Sequence, residues 1–461
     1  MKHVSTRGQS PAISFDEIVL SGLAPDGGLY LPETYPQFDR DELKALRALP
    51  YAKVAARILK KFAGPETALD IDAAVREAYD AFRHNDVAPS QHLQAKIWLL
   101  ELFHGPTFAF KDFALQVLGR FIAQRLAQTG ERRVIVAATS GDTGSAAIAA
   151  LANRPGVEIV VLHPHNRVSE IQRRQMTTVD AANLHNIALE GSFDDAQALV
   201  KAMFNDKVFA GEVPLGAVNS INWARLAIQT AYFVSSSLAL DSGGPVNFVV
   251  PTGNFGDIFS GYVAKRMGAP IGTLVAATND NDIVARALSS GDYSRGTVHA
   301  TSSPSMDIQV ASNFERLLFD AMDRNAGRLR AAMEEFSRAG KLDIPPDALN
   351  AMRRDFRAMR ATEDSVQAQI RRSQNLPCGL VDPHTATGLA VADALQLAGP
   401  TVVLATAHPA KFGAAVKAAT GQEPPLPAEF QRILNLPEKY TVLPNDLGQV
   451  QAFIRARTAA K

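Results

Sequence analysis

The chain has 461 residues, enough for two or three domains, and its 46% hydrophobic and 20% charged residues are those of an ordinary soluble globular protein. Lys plus Arg and Asp plus Glu are 47 each, a formal net charge of zero, which argues against a nucleic-acid binder relying on bulk charge. One cysteine, Cys378, excludes an intramolecular disulfide and a cysteine-cluster zinc site, and fits a reducing compartment.

In chain order, residues 1–95 open with a short polar stretch that lacks the apolar core of an export signal, pass through the turn-rich DGGLYLPETYP (26–36), and continue into helical segments around 41–62 and 70–84. They are expected to form a separate small N-terminal domain. From Arg133 onward, β-branched runs alternate with helical patterns. Strands are expected at 133–140, 157–164, 186–191, 246–251, 272–279 and 401–409, with helices after the first three at 144–154, 169–180 and 192–206. This alternation predicts an α/β fold of mostly parallel sheets covered by helices, because meander strands would need hairpin turns that are scarce here. Residues 312–375 are charged and helical in pattern, and are expected to form an arm or insertion beside the sheet. The most apolar long segment, 221–240, carries Arg225, Gln229 and a serine triplet and reads as a core helix rather than a membrane span. A cytoplasmic location is the expectation.

Three segments are rich in groups that do chemistry. ATSGDTGSAA (138–147) leaves a strand and opens a helix, exposing backbone N–H groups where an anion gains from unpaired donors; a plain connection with an N-cap accounts for it equally well. PTGNFGDIFSGY (251–262) repeats that geometry with Gly253 and Gly256 bracketing the Asn254 amide, and matches neither the Walker pattern nor GxGxxG. In HGPTFAFKDFALQVLG (104–119), Lys111 sits among Phe108, Phe110 and Phe113. Apolar surroundings disfavour its ammonium form and favour a nucleophilic amine, the requirement of a Schiff-base lysine, although a lone lysine more often snorkels to water. One activated lysine beside two anion-binding turns suits a carbonyl cofactor that carries a phosphate, pyridoxal 5′-phosphate.

At these residues the sequence resembles the threonine synthase family, pyridoxal-phosphate enzymes of the tryptophan-synthase-β type (fold type II), in its longer microbial branch. The resemblance runs from VSTRG and LAPDGGLYLPE near the N-terminus to ATAHPAKF (405–412). It implies an N-terminal family domain over 1–95 and a cofactor-binding region of two α/β subdomains over 96–461. HGPTFAFKD is similar to the Schiff-base lysine motif, which implies Lys111. TGNFGD resembles the cofactor-phosphate loop, implying Gly253, Asn254, Phe255 and Gly256 with Asp257 at its edge, and ATAHPAKF the segment whose hydroxyl meets the pyridine nitrogen, implying Thr406. NSINWAR resembles the element that holds the substrate's phosphate, implying Asn219, Ser220 and Arg225.

SGDTG is similar to the loop that holds the amino acid, implying Ser140 and Thr143. Many relatives carry Asn where this chain has Asp142. An acidic group beside the cofactor's phenolic oxygen would repel it unless protonated or hydrogen-bonded elsewhere, so Thr143 is the expected contact. SPSMDIQVASNFER (303–316) and DPHTATG (382–388) also look like family segments without assignable roles, and His104, His384 and His408 read as structural or catalytic alike.

The activity implied is a γ-replacement on O-phosphohomoserine giving threonine and phosphate, by a monomer or homodimer that needs no metal, nucleic acid or membrane. Within the cofactor class the competing reading is a serine/threonine dehydratase or a cysteine synthase, against which the 219–225 segment and the long N-terminal region argue. A dinucleotide-dependent oxidoreductase is disfavoured, since no GxGxxG follows a strand with an acidic residue about 20 positions on.

Overall fold

A computed structural model of the chain describes residues 1–218, 220–240 and 244–458. Two sheets organise it. The larger runs Phe356–Arg360, Ile271–Thr278, Val246–Pro251, Thr401–Ala405, Ile97–Glu101, Ser90–Gln94 from edge to edge, with every neighbouring pair parallel except the last. The second sheet, all parallel, runs Thr441–Pro444, Leu184–Glu190, Val157–Pro164, Arg133–Ala138, Leu215–Gly216. Strands covered on both faces need unbroken apolar runs, and VNFVVP at 246–251 is buried at every position. The expected α/β architecture of parallel sheets flanked by helices is the one observed.

Three local differences have physical causes. The helical pattern at 41–62 is two helices, Arg40–Arg47 and Tyr51–Ala63. Pro50 separates them, since it lacks an N–H and disfavours helical backbone at the residue before it. Within 312–375 the helices Phe314–Ala321, Ala326–Ala339, Pro346–Arg353 and Glu363–Ser373 form as expected, but Phe356–Arg360 is a strand of the large sheet. Its sequence, FRAMR, is largely exposed because it is an edge strand, and an edge strand shows no continuous apolar run. The antiparallel hairpin of Ser90–Gln94 and Ile97–Glu101 was hidden for a similar reason: SQHLQ is polar and only partly buried.

The N-terminal segment forms a three-stranded antiparallel sheet of Ile13–Ser14, Lys2–Ser5 and Tyr30–Pro32, followed by helices that share a continuous apolar core with the rest of the chain. Phe15 meets Phe121 edge-on at 6.2 Å between ring centres, and Phe62 meets Trp223 at 5.6 Å. Among the described residues no helix is long and apolar enough to cross a membrane.

This topology fixes where chemistry can occur. The segments carrying Lys111, Asp142, Gly253 and Thr406 all follow the carboxyl ends of parallel strands, Ile97–Glu101, Arg133–Ala138, Val246–Pro251 and Thr401–Ala405. That crevice is where open parallel sheets bind ligands.

Candidate active site

Lys111 is the first residue of the helix Lys111–Thr129, whose segment from Asp112 to Gly119 is buried throughout. The loop leading to it is tightly held. Thr107 donates from its backbone N–H to Asp112 Oδ2 at 2.7 Å and from its hydroxyl to Oδ1 at 2.9 Å. Arg83 donates to the Gly105 carbonyl and stacks 3.7 Å from the Phe108 ring centre. Phe108 has φ 60°, a left-handed conformation costly for an aromatic residue, kept here by that packing.

The Lys111 amine is nearly enclosed, with its side chain 12% exposed. Burial lowers its pKa, and this outweighs the raising effect of Asp142, whose Oδ2 lies 3.4 Å from Nζ. Asp142 is a weak counter-ion for Lys111 because it is shared. Its Oδ1 lies 2.9 Å from Lys411 Nζ and accepts from Gln172 Nε2 at 2.9 Å. Burial would raise the Asp142 pKa, but the two ammonium groups and the amide hold the carboxyl well below the usual carboxylate range. Asp142 is therefore ionised and hydrogen-bonded elsewhere, and it does contact Lys111. An acidic group at this place is admissible when it is hydrogen-bonded elsewhere, and Asp142 is so held by Lys411 and Gln172.

The 138–147 turn is shaped by Thr139, whose hydroxyl accepts from the N–H groups of Gly141 and Gly144 at 3.0 and 2.9 Å. Gly141 has φ 138°, and a Cβ there would strike Gln172, so only glycine fits. Ser140 and Thr143 are half-buried beside it.

The 251–256 turn leads into the helix Gly256–Arg266. Phe255 adopts φ 63° with its ring edge-on to Phe314 at 5.2 Å. Among the described residues, none of the backbone N–H groups of residues 253–256 donates to another protein group. Such a row of free donors at a helix start fits a phosphate. Asp257 follows, buried, with its Oδ1 accepting from the Tyr232 hydroxyl and its Oδ2 without a partner. Burial raises its pKa to about 7, against the opposing effects of Tyr232 and Lys111.

Arg225 lies in the helix Trp223–Ala239, 4% exposed, with its Nε unpaired. Burial lowers its pKa to about 10, and its charge is felt at Lys111. Among the described residues no carboxylate pairs with this buried guanidinium, a costly arrangement by itself and one suited to a ligand anion. Ser220 joins this helix start to the 251–256 turn through the 303–316 segment. Asn313 Nδ2 donates to the Ser220 carbonyl at 3.1 Å and to the Asn254 carbonyl at 3.0 Å, and Ser312 Oγ donates to Asn254 Oδ1 at 3.2 Å. Asn219 lies outside the described residues.

Thr406 ends the strand Thr401–Ala405 and is 6% exposed. Each of the three histidines is hydrogen-bonded within the protein. His384 Nδ1 lies 2.8 Å from Asp382, and its Nε2 accepts the Ser305 N–H, so the ring bridges two loops. His104 bonds Glu101 at 2.7 Å. Burial lowers the His408 pKa to about 4, and its Nδ1 accepts the Ala410 N–H.

The structure thus brings Lys111, Asp257, Arg225 and the 138–147 loop to one crevice, and adds Lys411, Gln172 and Asn313, which sequence reasoning did not single out. Lys411 stands in the ATAHPAKF segment and Asn313 in SPSMDIQVASNFER, so the segments were visible but not the side chains that matter.

Residues 2–79 match the family model for the threonine synthase N terminus, 86–352 that for pyridoxal-phosphate dependent enzymes, and 385–454 that for the threonine synthase C-terminal region. The chain is 48% identical to a threonine synthase of Pseudomonas aeruginosa, over 98% of both chains. A pyridoxal-phosphate-bound threonine synthase structure from Brucella melitensis superposes with a TM-score of 0.96 at 49% identity, covering 100% of each chain. The yeast threonine synthase structure does so at 0.94 and 37%, covering 99% of each. The chain belongs to the threonine synthase family of pyridoxal-phosphate-dependent enzymes.

Proposed function

We propose that this enzyme converts O-phospho-L-homoserine and water to L-threonine and inorganic phosphate, with pyridoxal 5′-phosphate attached at Lys111. The observation that most supports the reading is a pair of anion sites around one amine. The free N–H row at 253–256 suits the cofactor's phosphate, and the buried Arg225 guanidinium with its unpaired Nε suits a second phosphate, the substrate's. A dehydratase or cysteine synthase acting on substrates without phosphate has no use for the second.

The residues present fit the cofactor. Lys111 supplies the amine, Gly253, Asn254, Phe255 and Gly256 the phosphate loop with Asp257 at its edge, and Thr406 a neutral hydroxyl for the ring nitrogen. When bound, the cofactor supplies an electron sink for charge developed on the substrate's carbons. Ser140 and Thr143 hold the amino-acid end. The Lys111 amine, when not engaged with the cofactor, would take protons from Cα and Cβ and deliver protons to Cγ, which becomes the methyl group, and back to Cα. Arg225, with Asn219 and Ser220, binds the phosphate and steadies the charge it gains as its bond to Cγ breaks. Water then adds at Cβ, with the departed phosphate beside it as base.

The enzyme works in the cytoplasm as a monomer or homodimer, with an N-terminal domain over 1–95, a cofactor region over 96–461 and a helical arm at 312–375. Incubation with the cofactor and O-phosphohomoserine tests the reading. Phosphate and threonine should appear in equal amounts; phosphate release with 2-oxobutyrate in place of threonine, or no release, overturns it.

A further inference from the structure

Lys411 is completely buried, and its ammonium has two contacts. It lies 2.9 Å from Asp142 Oδ1 and donates to the Thr107 carbonyl at 2.7 Å. Its backbone is held too, since the Lys411 carbonyl accepts from Ser169 Oγ at 3.2 Å. Ser169 caps the helix Glu170–Thr177 that presents Gln172 to the same Asp142 oxygen. Lys411 thus ties the loop before Lys111 to the carboxylate beside Lys111.

We propose that Lys411 is a positioning residue for Lys111: its ammonium takes one oxygen of Asp142 and leaves only the other, at longer range, for the reactive amine. The charge count gives the consequence. With Lys111 protonated, the cluster holds two ammonium groups and one carboxylate in a buried space. With Lys111 neutral, Lys411 and Asp142 balance. Losing the Lys111 proton therefore relieves an excess charge instead of breaking an ion pair. The other groups facing Lys111 are Arg225, which acts in the same direction, and Asp257, which opposes it. Asp112, on the Lys111 helix, and His408, which caps the turn that carries Lys411, also act on Lys411. A neutral amine is what condensation with an aldehyde requires: the nitrogen joins the aldehyde carbon and one water leaves.

The proposal rests on Lys111 as the Schiff-base lysine, and the test separates the two. Cofactor-free protein is mixed with pyridoxal phosphate at a series of pH values. The rate of capture is followed by absorbance, and the adduct is reduced with borohydride and mapped. In Lys411→Met, Lys111 is the one ammonium left beside Asp142, which keeps the Gln172 amide. The midpoint of the rate profile should move up by about one pH unit or more, making capture roughly tenfold slower below it. Lys411→Arg should restore most of the rate. Asp142→Asn should move the midpoint down, and the double variant should lie nearer the unsubstituted protein than either single change.

An adduct at Lys111 with an unmoved midpoint in folded Lys411→Met overturns the proposal alone. If that variant does not fold, an unmoved midpoint in Asp142→Asn overturns it equally. An adduct on any other lysine of the unsubstituted chain overturns the assignment of Lys111 and the proposal with it.

Discussion

The backbone N–H of Phe110 donates to the carbonyl of Thr406 at 2.8 Å. The residue before Lys111 is thereby tied to the end of the strand Thr401–Ala405, and the adjoining bridge between Ala109 and Ala407 repeats the tie. The backbone makes this link, and among the described residues the Thr406 hydroxyl has no hydrogen-bond partner. Thr406→Val should leave the melting temperature of cofactor-free protein unchanged while weakening cofactor retention about 5- to 10-fold, the worth of one hydrogen bond. The absorption band of the holoenzyme should shift. Equal spectra and equal retention in the two proteins remove Thr406 from the cofactor.

The buried strands were legible because each rests on local pattern. VEIVVLHP spans 157–164 in the structure as in the sequence, since a strand buried on both faces is an apolar run with turn residues at its ends. Lys111 stands out as the one cation in FAFKDF. The surroundings of Asp142 were not legible, because no spacing rule joins it to Lys411, and a carboxylate's protonation depends on neighbours the fold delivers. Asn313 was hidden for the same reason: its contacts with Ser220 and Asn254 exist only after three segments meet. Phe356–Arg360 was missed because an edge strand needs no apolar run.

Lys111→Ala should abolish turnover and end covalent attachment of the cofactor on borohydride reduction. Folding should survive, because Asp142 keeps Lys411 and Gln172 as partners. The check is mass spectrometry after reduction together with the melting curve. Turnover retained in the absence of added amine contradicts the assignment.

Asp257 gives a pH dependence whose sign follows from its burial. Its pKa in the folded protein, about 7, lies above its ordinary value, so the folded state keeps a proton that the unfolded chain loses near pH 4. The folded state then binds more protons between roughly pH 4 and 7, and stability from this group falls as pH rises through that window. Asp112, raised to about 6 by burial, acts in the same direction and stays in both proteins compared. Asp257→Asn, which still accepts from Tyr232, should therefore gain on the unsubstituted protein in denaturation midpoint between pH 5 and pH 8, measured without cofactor. Parallel midpoint curves would contradict the assignment.

Among the described residues Arg225 has no carboxylate partner to lose, and this separates a ligand-binding role from a structural one. If it clamps the substrate phosphate, it is an uncompensated buried charge until substrate arrives. Arg225→Met, of similar length and uncharged, should then leave the cofactor-free protein as stable or more so. Catalysis should respond in the opposite sense. Losing one partner of a buried charge pair costs about 2–5 kcal/mol, so kcat/KM for Arg225→Ala should fall roughly 30- to 4,000-fold. The loss should reach kcat, because negative charge builds on the phosphate as it departs and the guanidinium is most needed then. Arg225→Lys should recover only part, since an ammonium lacks the planar fork that gives two parallel bonds to phosphate oxygens. Capture of pyridoxal phosphate should be nearly unaffected, its phosphate being assigned to the 253–256 turn. Steady-state kinetics beside a cofactor titration and a melting curve test all three expectations. A loss in kcat/KM below fivefold, or a destabilised cofactor-free protein with unchanged catalysis, would make Arg225 a structural residue.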